Sequence, residues 1–119
     1  MKNREDIGRQ QREICEKYGT LNFTPPEHMR VGINENVRTS LQPINGLRNP
    51  VEGIASGWFI WAGEEWSDAD DFFKPICISH LEDWCPQVIK YLALPPGYRF
   101  LIDDKGYEDV WYDEKLLDI

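Results

Sequence analysis

The sequence predicts an α+β fold, a single domain over residues 1–119 in which an antiparallel sheet carries helices packed on it. Three stretches predict it. Ser56-Gly57-Trp58-Phe59-Ile60-Trp61-Ala62-Gly63 is a short apolar run rich in aromatic residues and bounded by glycine, the pattern of a strand buried on both faces. Leu81, Trp84, Cys85, Val88, Ile89 and Leu92 fall at helical spacing. Tyr98 to Asp103 and Tyr107 to Asp113 flank Asp104-Lys105-Gly106, a hairpin with a three-residue loop. A sheet and an amphipathic helix each need a covering layer, and each supplies the other's.

Taken in order, the chain begins with a helix or peripheral arm over residues 1–19, ahead of a core over 20–119. Asn3 is placed to cap that helix, Ile7, Ile14, Cys15 and Tyr18 form its apolar stripe, and Gly19 fits its stop. Gly8 within it costs about 1 kcal/mol relative to alanine, so the helix leans on tertiary contact. From Leu21 to Ala55 the chain is punctuated by Pro25-Pro26, Pro43, Asn45-Gly46 and Pro50. Only Met29 to Ile33 reads there as a strand, and Asn45-Gly46 reads as a turn. In the central strand, Trp58, Ile60 and Ala62 share one face, Phe59 and Trp61 the other. Phe72 to Ile78 predicts a second strand, which Pro75 restricts to an edge or a strand start. Ser79-His80-Leu81-Glu82 has the capping-box pattern, while Pro86 predicts a short turn over 80–84 and a kink or restart at Pro86. In the hairpin, Tyr98, Phe100, Ile102, Val110 and Tyr112 fall on the core face. Arg99, Leu101, Tyr107, Asp109 and Trp111 fall on the other.

The formal charge is −8, unevenly spread. Residues 1–50 hold eight Lys/Arg against six Asp/Glu, whereas residues 51–119 hold five against fifteen. Such a field repels nucleic acid and anionic membranes and speeds encounter with a basic partner. Its simplest consequence is solubility. Cys15, Cys77 and Cys85 are odd in number and form no CxxC pair, which suits a reducing cytoplasm. The N-terminus has no apolar stretch behind its charges, and no run approaches the roughly 20 residues that span a bilayer. A cytoplasmic location is expected.

No catalytic constellation emerges. Asp68, Asp70 and Asp71 suggest calcium, but an EF-hand counted from Asp68 would place Phe73 where glycine is needed and Ser79 where glutamate is needed. His80 and Cys85 are spaced to point apart on a helix, and no third residue orients them. Asp103, Asp104, Glu108 and Asp109 crowd a hairpin tip and read as solvated turn residues. An enzyme, a cofactor and a metal are therefore not expected. The acidic stretch Glu64, Glu65, Trp66, Asp68, Asp70 and Asp71 is the candidate partner-binding site, because an exposed aromatic among charges is a feature of binding hot spots. Trp66 folded back into the core, with the acids merely wet, is the opposing account. A second possibility is a small-ligand or regulatory module, its site between the 41–55 loop and the sheet and Arg48 reading an anion.

The blocks Asn45-Gly46-Leu47-Arg48, Ser56 to Glu64, His80 to Pro86, Leu94 to Leu101 and Asp109-Val110-Trp111 together resemble the bacterial immunity-protein family numbered 33 and its relatives, from about residue 20 to the C-terminus. That resemblance implies a cytosolic protein that protects a bacterium by binding a polymorphic protein toxin, without catalysis or cofactor. It carries over no contact residues. The assignment of the acidic stretch, and of a basic toxin, rests on charge.

Overall fold

The computed structural model describes residues 4–67, 69 and 71–118. One helix and six strands organise them: α1 (Arg4–Lys17), β1 (Arg30–Ile33), β2 (Ile44–Arg48), β3 (Ala55–Ala62), β4 (Lys74–Cys77), β5 (Tyr98–Ile102) and β6 (Glu108–Tyr112). A short α2 (Leu81–Trp84) lies between the 3₁₀ segments Ile78–His80 and Pro86–Tyr91. The strands form one sheet in the order β4-β1-β3-β2-β5-β6, antiparallel except that β1 runs parallel to β3. The fold is α+β, and its sheet is mostly rather than wholly antiparallel. The parallel pair follows from connectivity. The chain leaves β1, skips one strand position to lay down β2, and returns through a hairpin that seats β3 in the gap.

β3 carries the two faces that its alternation predicts. Trp58, Ile60 and Ala62 join the main core with Val31, Ile33, Ile44, Phe100 and Ile102, and that face is covered by α1 and by residues 81–94. α1 ends in a Schellman motif: Gly19 at φ +67 donates to the Glu16 carbonyl, and Thr20 donates to that of Cys15. The Asn3 cap lies outside the described residues. Pro86 acts as expected. Cys85, at φ −162 and ψ 73, breaks the α2 spiral, and the chain restarts at Pro86 as a 3₁₀ segment. The Ser79 capping box does not form, because helical turns already begin at Ile78 and Ser79 lies inside them. The β5–β6 register is the one the hairpin predicts, with Asp103 accepting from the Lys105 and Tyr107 amides across the loop.

Asn45-Gly46 is where the sequence misleads. It is a central strand, β2, and not a turn. Gly46 is needed there for closeness rather than for turning, since a Cβ on it would lie 2.1 Å from the Phe100 ring. Asn45 points to the opposite face, where its amide donates to the Gly63 carbonyl at 2.7 Å. The two residues that signal a turn locally are used here to seat an aromatic ring and to pin a strand end.

Candidate functional site

The acidic stretch follows β3 on the sheet face that α1 does not cover. Phe59 and Trp61 project onto that face, and the chain beyond Gly63 loops back over them before entering β4. Trp66 stands edge-on to Trp61 with centroids 4.9 Å apart, and lies 5.3 Å from Phe73 and 6.4 Å from Phe72. Phe73 in turn packs on Phe59 at 5.1 Å, and the Asn34 amide fixes the loop by donating to the Phe72 carbonyl at 2.7 Å. A second, smaller aromatic core results. Trp66 is nevertheless 50% exposed, so the two accounts of it combine: its inner edge is packed and its outer face is wet. Glu64, Glu65 and Asp71 are exposed around it and make no ion pair among the described residues. Asp68 and Asp70 lie outside the described residues. Edge-to-face packing orients the indole, so little rotamer freedom remains to be lost on binding.

Arg48 does not read an anion. It sits in the middle of the molecule at 0% exposure, on the core face of β2 beside Trp58. Its Nε donates to the Ser56 carbonyl at 3.0 Å, and its Nη1 donates to the carbonyls of Phe23, Leu94 and Leu92 at 2.8, 2.9 and 3.2 Å. The guanidinium also lies over the Phe23 and Trp58 rings at 5.1 and 5.7 Å. Burial pulls it down to about 10, and it stays protonated at neutral pH. A cation ringed by carbonyls holds loops together and repels no anion, but it offers one no access. The ligand site imagined between the 41–55 segment and the sheet is filled by β2 itself.

Glu108 also departs from expectation, for it is no solvated turn residue. It accepts from Lys17 Nζ at 2.6 Å, Tyr18 Oη at 2.6 Å and Tyr91 Oη at 2.5 Å, joining α1 and the 86–91 segment to β6. Burial pushes its carboxyl up, but the three donors outweigh burial and bring it down to about 2. Burial and the adjacent carboxylate raise Tyr18 and Tyr91. None of these groups changes its protonation state near neutral pH, so the cluster is a clasp rather than an acid–base pair. Two of its three partners, Lys17 and Tyr18, lie 91 and 90 residues away and leave no local trace, which is why sequence reading missed it.

Elsewhere, Cys85 is buried and burial pushes its thiol up to about 12, while His80 is exposed. Trp58 is enclosed at 1% exposure, its indole N–H donating to the Leu92 carbonyl at 3.0 Å. An open groove of about 450 Å³ between α1 and residues 78–92 is lined by Ile7, Ile78, Ile89 and Leu92 together with polar side chains such as Gln11, Arg12 and Glu82. Among the described residues no three His, Cys, Asp or Glu side chains converge on a metal position. No helix among them is long and apolar enough to cross a membrane.

Compared with known proteins, residues 10–113 match the Imm33-like domain. The chain belongs to the Imm33-like family. The match begins inside α1, upstream of residue 20, and runs past the end of β6, so all six strands fall within it. No curated protein and no solved structure matches the chain. The Imm33-like name suggests an immunity protein, a role that in general implies a protein toxin as partner and binding rather than catalysis.

Proposed function

We propose that this Imm33-like chain is a cytoplasmic immunity protein that neutralises a cationic toxin domain by direct contact through the rim Glu64, Glu65, Trp66, Asp68, Asp70 and Asp71. The observation that carries the reading is Trp66, half exposed yet oriented by Trp61, Phe72 and Phe73, among carboxylates without ion-pair partners in the described residues. An oriented indole supplies contact area at small entropic cost, and unpaired acids around it meet Lys and Arg on the partner. Toxins that act on nucleic acids are basic because they bind phosphate, so an acidic blocker is complementary to their working surface.

The test begins with a pulldown from the native host to recover the toxin, followed by stopped-flow association with it. Replacing the five acids by Asn or Gln is expected to slow association about 10- to 100-fold at low salt and to flatten its salt dependence. Trp66→Ala is expected to act mainly on the dissociation rate, raising it about 10-fold or more. Unchanged association in the charge variant would remove this rim from the interface.

A further inference from the structure

The two edges of the sheet are unequal. At one edge, the Ile78 amide donates to the Met29 carbonyl at 2.9 Å, and the β1–β4 register continues from that pair. Alternation then makes Ile76 and Lys74 the bonded positions of β4 and turns the backbone of Pro75 and Cys77 outward. Pro75 has no N–H, so this edge offers an incoming strand little to pair with. At the other edge, the Asp103 amide donates to the Tyr107 carbonyl at 3.2 Å, and the Asp113 amide donates to the Gly97 carbonyl at 2.7 Å. Asp109 and Trp111 are therefore the positions bonded to β5, and the N–H and C=O groups of Glu108, Val110 and Tyr112 point outward. Among the described residues nothing pairs with them.

This open edge is flanked on both faces by aromatic surface. Trp111 is 37% exposed on one face, over the Arg99 guanidinium at 5.7 Å, and Tyr112 is 51% exposed on the other, edge-on to Tyr98 at 5.3 Å. Residues 103–118 also carry seven carboxylates against two lysines. The geometry points to the outer edge of β6 as a strand-addition site for an extended, cationic segment of a protein partner. Backbone pairing with Glu108, Val110 and Tyr112 supplies affinity, Trp111 and Tyr112 clamp the strand from either side, and exposed Asp109 selects a Lys or Arg opposite it. Charge decides against a second copy of this chain, because antiparallel pairing of two β6 strands brings two acidic ends together. The inference uses a different surface from the Trp66 rim and does not depend on the immunity reading.

Amide hydrogen exchange by NMR on the full chain tests it, with a nine-residue synthetic peptide of alternating lysine and valine as probe and its glutamate–valine counterpart as control. The Val110 and Tyr112 amides are expected to exchange at least 10-fold more slowly with the lysine peptide and at an unchanged rate with the glutamate peptide. Asp109→Lys, an exposed substitution that spares the fold, is expected to weaken the lysine peptide at least fivefold. The proposal is overturned by no slowing at millimolar lysine peptide, by equal slowing by both peptides, or by spectral shifts confined to residues 63–73. Slowing that grows with protein concentration in the absence of peptide makes a second copy the occupant and equally overturns it.

Discussion

Arg48 and Glu108 are each buried or half-buried charges, and they resolve the cost of burial in opposite ways. Arg48 has no ion-pair partner among the described residues; its Nε and Nη1 donate to four backbone carbonyls, while its buried Nη2 has no hydrogen-bond partner among them. Replacing it relieves the desolvation of a cation but leaves those carbonyls unsatisfied, at about 1–3 kcal/mol for each that water does not reach. The second effect wins. Arg48→Met is expected to lower unfolding free energy by about 3 kcal/mol or more in chemical denaturation, and Arg48→Lys to recover little, since one ammonium replaces a planar fork. Glu108 instead draws donors to itself. Its folded value, about 2, lies below the ordinary 4.5, so its stabilisation is fully present above about pH 4.5 and is lost as pH falls toward 2. Glu108→Gln is expected to remove about 1–2 kcal/mol at neutral pH, allowing for solvent screening of a site that water still reaches, and to flatten the stability profile between those two values. Urea titrations of both proteins at several pH values read this directly.

At the scale of the element, what the sequence made legible follows the range of the forces involved. The faces of β3, the β5–β6 register, the edge position of Pro75 and the restart at Pro86 all depend on period-two alternation or on the proline ring, and both are written within a few residues. β2 was hidden because Asn45-Gly46 carries a local turn signal, while the reason for its glycine is a ring on β5 more than fifty residues away. Gly46→Ala is accordingly expected to cost about 2–3 kcal/mol by steric overlap with Phe100. Pairing it with Phe100→Leu should cost less than the sum of the two single changes, a coupling that a double-mutant cycle measures. The candidate site was legible in part. The acids and Trp66 were visible as composition, but the cluster that orients the indole joins residues from β3, the loop and the entry to β4, and only folding brings them together.

For the molecule as a whole, α1, the 81–94 segment and the sheet share one core, and the Glu108 clasp ties the N-terminal helix to the last strand. No layer has an apolar interior of its own. Far-UV circular dichroism, near-UV circular dichroism and tryptophan emission are therefore expected to report coincident unfolding transitions; an early far-UV step assigned to α1 would contradict a common core. The small aromatic cluster under Trp66 lies outside that core. Its contribution falls on the binding rim more than on global stability.

The tryptophans are unevenly wet. Trp58 and Trp61 are enclosed and Trp84 is partly covered, while Trp66 and Trp111 meet solvent toward different ends of the sheet. The molecule thus carries its own optical reporters. Acrylamide quenching of a Trp66→Phe and a Trp111→Phe variant would show, from light alone and without any attached label, which end a bound macromolecule shields.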